Sequence, residues 1–83
     1  MIAQETIRVK AIWDNEARVW VATSEDVPGL ITESEKLEDL VQKLKTLIPE
    51  LLEANGSISK FKSTEIPFHI YSERSEIASC KGL

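Results

Sequence analysis

The stretch Ile7-Arg8-Val9-Lys10-Ala11-Ile12-Trp13 decides the fold. Ile7, Val9, Ala11 and Trp13 alternate with Arg8, Lys10 and Ile12, the period-two pattern of a strand with one face buried. The polar run Asp14-Asn15-Glu16-Ala17 follows, and then Arg18-Val19-Trp20-Val21-Ala22-Thr23, rich in β-branched and aromatic residues. Two such runs around a short polar turn predict an antiparallel hairpin. Further on, Val27-Pro28-Gly29-Leu30 carries the residues of a type II turn, with proline presetting φ at its second position and glycine supplying positive φ at its third. Leu30-Ile31-Thr32 then predicts a short third strand.

Period two gives way to a helical period at Leu37. Leu37, Leu40, Val41, Leu44, Leu47, Ile48, Leu51 and Leu52 recur at three- and four-residue steps, a single stripe on a helix from about Glu35 to Ala54. Ser34 is the expected N-cap, Glu35, Glu38 and Asp39 suit the positive end of the helix dipole, and Asn55-Gly56 marks the stop. Pro49, inside the helix, removes the hydrogen bond to the carbonyl of Lys45 and predicts a bend. Ser57 to Thr64 reads as a flexible polar connection apart from Ile58 and Phe61. Ile66-Pro67-Phe68-His69-Ile70-Tyr71 alternates again and predicts a fourth strand, placed at a sheet edge because Pro67 cannot donate to a ladder.

The order β-β-β-α-β brings the fourth strand back parallel to the first through a right-handed crossover, so the expected sheet order is 3-2-1-4. The expected architecture is α+β, one helix packed on a small mixed sheet, with one domain over residues 1–72 and a tail over 73–83. A single helix covers one sheet face. With Ile7, Val9 and Ala11 facing the helix, Ile12 points away, with Trp20, Ala22 or Tyr71 as candidates to join it. An uncovered apolar face of this kind implies an interface with a second copy or another protein.

Composition narrows the function. Ten basic against fourteen acidic side chains leave a net charge of −4, with 42% hydrophobic and 29% charged residues. That balance fits a globular protein and argues against a general nucleic-acid binder, whose affinity rests on Lys and Arg displacing counterions. The absence of a signal-like start and of a long apolar run implies a cytoplasmic protein away from membranes. Cys80 is the sole cysteine and reads as an exposed thiol. His69, the sole histidine, reads as a strand residue with no nucleophile motif beside it. No Cys/His spacing suggests zinc, and no glycine-rich loop suggests a phosphate, so no cofactor is expected. Asp14, Glu16, Glu25 and Asp26 gather around loops and leave open a metal-dependent hydrolase. Trp13 and Trp20 flank the hairpin turn, and tryptophan serves both cores and binding hot spots.

Trp13-Asp14, Val19-Trp20-Val21-Ala22-Thr23-Ser24, Asp26-Val27-Pro28-Gly29-Leu30, Leu37-Glu38-Asp39-Leu40 and Leu47-Ile48-Pro49-Glu50-Leu51-Leu52 together resemble the HicB-like antitoxin superfamily over about Ile7 to Gly56. The resemblance is strongest to a small bacterial branch with the same strand, Pro-Gly turn and proline-bearing helix. It implies a partial ribonuclease H-like fold lacking the ribonuclease H active site, and a module that binds and masks a small basic toxin cleaving messenger RNA. Lys36 stands where that superfamily often has threonine, which passes the capping role to Ser34. Ser72 to Leu83 is too short for the DNA-binding segment such antitoxins carry, so no direct nucleic-acid contact is expected. The expected function is thus a non-enzymatic protein-binding module. Its expected contact residues are Ile12, Trp20, Asp26, Val27, Pro28, Gly29 and Leu30, and its partners a second copy and a small basic toxin. The alternative is a homo-oligomeric structural domain with no toxin.

Overall fold

A computed structural model describes residues 6–58 and 65–82 of the chain. Four strands and one helix follow in the order β1 (Ile7–Asp14), β2 (Val19–Thr23), β3 (Ile31–Ser34), α1 (Leu37–Ala54) and β4 (Phe68–Glu73). They build one sheet in the order β3-β2-β1-β4. β1 pairs antiparallel with β2 and parallel with β4, while β2 pairs antiparallel with β3. The protein is therefore an α+β molecule with one helix on a four-stranded mixed sheet, and β4 lies at the edge where the proline before it does no harm.

The hairpin fixes the register. Asp14 Oδ1 accepts the backbone N–H groups of Glu16 and Ala17 at 3.0 and 3.1 Å, and Arg18 N donates to Asp14 O at 2.7 Å. Arg18 closes the turn at φ 61°, the left-handed region that a side chain enters only at some cost. The result sets Trp13 opposite Trp20 and Ala11 opposite Ala22. Because side chains alternate, Ile7, Val9, Ala11, Trp13, Trp20 and Ala22 all point to the helix side.

On the helix, Leu40, Leu44, Ile48 and Leu52 are fully buried against that face. Burial at this level stabilises by about 2 kcal/mol per side chain relative to exposure. The helix lies closest to β3 and β2, so Phe68 and Ile70 of β4 are only partly covered. A hollow of about 140 Å³ remains between Phe68 and the helix, lined also by Leu44, Lys45, Ile48, Pro49 and Ile66.

Several boundaries differ from the sequence reading. Ser34 is not the helix cap. β3 continues through Ser34, which pairs with Trp20 and is buried, so the chain enters the helix later and Lys36 occupies the N-cap without a side-chain hydrogen bond. Glu38 and Asp39 still lie in the first turn. At the other end the expected stop is present as a Schellman motif: Ser57 N donates to Leu52 O at 2.8 Å and Gly56 N to Glu53 O at 3.1 Å, with Gly56 at φ 74°. α1 continues through Pro49 as one helix. Ile66 and Pro67 precede β4 rather than belonging to it, although Pro67 O accepts Ile7 N at 3.0 Å. β4 runs to Glu73, one residue into the expected tail, and residues 74–80 form neither helix nor strand. The expectation for Phe61 lies outside the described residues.

Two substitutions test this core. Leu44→Ala is expected to lower stability by about 2–5 kcal/mol. Pro49→Ala, which restores a helical N–H at a half-buried site, is expected to raise it by about 1–3 kcal/mol. Urea unfolding followed by circular dichroism measures both.

Candidate interaction surface

The sheet face opposite the helix is built by the residues that alternate with the core. From β1 these are Arg8, Lys10, Ile12 and Asp14, each exposed. The register sets Val21 and Glu33 beside Ile12 on one side and Glu73 on the other. One step along the strands, Thr23 and Ile31 lie to one side of Lys10 and Tyr71 to the other. Ile12 is 44% exposed, Ile31 70% and Tyr71 54%, and among the described elements none covers them. Apolar side chains thus cross the middle of the face in contact with water.

Charge on this face is divided by end. Arg8 and Lys10 lie at one end of β1. Asp14, Glu33 and Glu73 lie toward the other. Lys10 Nζ and Glu73 Oε1 are 3.9 Å apart and both exposed, a pair worth little to stability in water. A shallow hollow of about 560 Å³ opens beside Arg8 and Lys10, lined also by Thr23, Tyr71 and Ser24 and by the carboxylates of Glu25 and Asp26.

The expected contact residues divide between surface and interior. Ile12 is on the open face, as is Tyr71. Trp20 and Ala22, the other candidates for that face, point to the helix side because they pair with Trp13 and Ala11. Trp20 meets Trp13 edge to face, with centroids 5.4 Å apart. Arg74 and Arg18 lie over the Trp13 ring at 4.2 and 5.5 Å, and Arg74 is held in turn by Glu76. The pair therefore closes the core, with part of the segment after β4 folded over it. Trp13 Nε1 and Ser34 Oγ are buried there without a hydrogen-bond partner among the described residues.

Asp26, Val27, Pro28, Gly29 and Leu30 form a clamped loop. Asp26 Oδ2 accepts Arg8 N at 2.9 Å, Ser24 Oγ donates to Arg8 O at 2.6 Å, and Asp26 N donates to Ser24 Oγ at 3.1 Å. Leu30 N donates to Val27 O at 3.1 Å, closing the turn in which Gly29 has φ 86°. Asn55 Nδ2 reaches Pro28 O at 3.2 Å and so ties the turn to the end of α1. Val27 and Leu30 are buried in the core, which leaves Asp26, Pro28 and Gly29 as the loop's exposed members.

The carboxylates read as a possible metal site are separated. Asp14 holds the hairpin turn at one end of β1 and Asp26 bonds the backbone near the other, about 20 Å apart at 3.3 Å per strand residue. Among the described residues no group of three or more His, Cys, Asp or Glu could hold a metal ion. Cys80 and His69 are both exposed. No helix among the described residues is long and apolar enough to cross a membrane. The sequence reading missed Val21 and Ile31 on the open face, which follow only once Trp20 is assigned to the core.

The fold is thus that of a small α+β domain with one helix on one face of its four-stranded sheet. The chain belongs to the family described as a domain of unknown function, DUF1902, which it matches over residues 6–80. It is 45% identical to a hypothetical protein of the extremely thermophilic bacterium Thermus thermophilus, whose crystal structure superposes with a TM-score of 0.66 over 92% of this chain and 100% of that one. No curated protein matches closely enough to carry a comparison.

The clamp is testable. Gly29→Ala places a Cβ in the left-handed region and is expected to cost about 1–2 kcal/mol, although the nearest atom, Leu51 Cδ2, would be an ordinary 3.9 Å away. Asp26→Ala, which leaves Arg8 N to water, is expected to cost about 1 kcal/mol. Thermal unfolding of the two variants separates the backbone effect from the side-chain one.

Proposed function

We propose that the protein is a cytoplasmic, non-enzymatic protein-binding module of the HicB antitoxin-like type, with a partial ribonuclease H-like fold. The observation that carries this reading is the open sheet face, where exposed Ile12, Ile31 and Tyr71 and half-buried Val21 form a strip that no described element covers. Such a strip, rimmed by charge, has the character of a recognition surface, with apolar contacts at its middle and polar contacts around them. The net charge of −4 and the acidic end formed by Asp14, Glu33 and Glu73 suit a small basic partner, as expected of a toxin-masking domain, and would steer it toward the face. Asp26, Pro28 and Gly29, exposed in the clamped loop, supply further contacts at the rim.

The test is an affinity capture from native cells with the tagged full chain, washed at low and then raised salt, and analysed by mass spectrometry. A small basic protein in stoichiometric amount, released as salt rises and absent when the bait carries Ile12→Asp, is the expected result. Capture of the same protein by both baits would move the contact off the open face. Capture of nothing by either bait would count against a toxin partner.

A further inference from the structure

We infer that a second copy of this chain adds to the outer edge of β4, the two strands running antiparallel about a two-fold axis at Ile70 and joining both sheets into one. The inference goes beyond the protein-binding reading, because its contact is the sheet edge and not the open face.

The ladder shows which backbone groups point away from the sheet. Ile7 N donates to Pro67 O at 3.0 Å, and Ile7 stands beside Phe68 in the parallel pair. In such a ladder alternate residues turn both N–H and C=O toward the neighbouring strand. His69, Tyr71 and Glu73 therefore bond to β1, while Phe68, Ile70 and Ser72 turn their backbone groups outward. Among the described residues no strand pairs with that edge. The opposite edge of the sheet is guarded. β3 is only four residues long and carries Glu33, and Lys43 Nζ reaches from α1 to donate to Glu33 O at 2.6 Å. A short strand and a lysine are devices that blunt an edge against pairing. β4 has neither: it is six residues long, with no Lys, Arg, Asp or Glu before Glu73.

Self-pairing selects one register. An isologous contact sets the same strand against itself, and residues directly opposite in an antiparallel pair share a face. An axis at Ile70 places Ile70 against Ile70 of the second copy, and Phe68 against its Ser72 in both directions. Every outward N–H and C=O of the strand then has a partner. An axis at His69 would set Ser72 against Ile66, which precedes the strand. An axis at Tyr71 would set Phe68 against Arg74, which is engaged over the Trp13 ring at 4.2 Å.

The side chains suit the same register. On the helix side Phe68 and Ile70 are only partly buried, because α1 lies closest to β3 and β2. That placement leaves room at β4 for the second sheet and brings the two Ile70 side chains together at the seam. On the other side His69 of each copy stands beside Tyr71 of the other, extending the ring contact of 6.4 Å found within one chain. Within the paired strands no charged side chain faces one of like sign. The contacts are main-chain and apolar while each copy carries a net charge of −4, so salt screens repulsion and tightens the dimer.

The experiment is sedimentation equilibrium of the purified full chain from low to high micromolar concentration, at low and raised salt. The wild type is expected to dimerise, more tightly as salt rises. Ser72→Pro removes an outward N–H and no bond of the chain's own ladder, so its circular dichroism is expected to match wild type while self-association weakens by more than about tenfold. Ile12→Asp, on the open face, is expected to dimerise like wild type. Single cysteines in a Cys80→Ser background read the register: Ile70→Cys, at the axis, is expected to crosslink under mild oxidation, and His69→Cys and Tyr71→Cys are not. A wild type that stays monomeric throughout overturns the inference, as does Ser72→Pro dimerising as tightly as wild type or a crosslink through His69→Cys or Tyr71→Cys in place of Ile70→Cys. A monomeric wild type that still captures a cellular protein through Ile12 sinks the second copy and leaves the protein-binding reading intact. A dimer that captures nothing does the reverse.

Discussion

The register of the first hairpin governs everything else in the molecule. Once Trp13 stands opposite Trp20, the period of two assigns every β1 and β2 side chain to the helix or to water, and a slip of one residue would exchange the two sets. The turn enforces that register through the Asp14 carboxylate and through Arg18, whose positive φ shows how tightly the chain is bent there. β3 inherits its alternation from β2, and β4 inherits its own from β1. A few hydrogen bonds at one tight turn thereby determine which side chains α1 can bury.

With a single helix available, only one of the two faces becomes a core. Leu40, Leu44, Ile48 and Leu52 occupy one side of the sheet completely. The other side keeps a strip of apolar residues between opposed charges, a composition neither wholly core-like nor wholly solvent-like. The Val27–Leu30 turn belongs to the structural side of this division. Its buried residues anchor it to the core, Asn55 secures it to the helix end, and Ser24 and Asp26 tie its approach to β1. It packs as part of the scaffold and offers only its outer atoms to solvent.

Most of the scaffold was legible in the sequence because its signals are local and redundant. Alternation at Ile7 to Trp13, the eight-residue stripe from Leu37 to Leu52 and the Pro28-Gly29 pair each name one element, and their order leaves few topologies. Ser34 failed as a predicted cap because its propensity to cap competed with the ladder to Trp20, and pairing won. The open face was only partly legible. Ile12 could be assigned from β1 alone, whereas Val21 and Ile31 require the cross-strand register, and Trp20 was drawn to the wrong side by its chemistry rather than its position. Nothing local announces that Arg74 returns over Trp13, since that contact depends on where β4 ends in space.

The parallel pairing of β1 with β4 also has a temporal side. Ile7, among the first residues of the fold, bonds to Pro67 and pairs with Phe68 near its end. During synthesis the hairpin, β3 and the helix can therefore assemble while one whole edge of β1 waits for a strand that the ribosome makes after them. Non-local pairing of this sort slows folding, and an unsatisfied inner edge is a template for pairing with other chains. Lys10 in the middle of that strand, and the basic Arg8 beside it, place charge along the edge while it is bare. The same two side chains that polarise the finished surface can thus also guard the nascent chain against association in the wrong order.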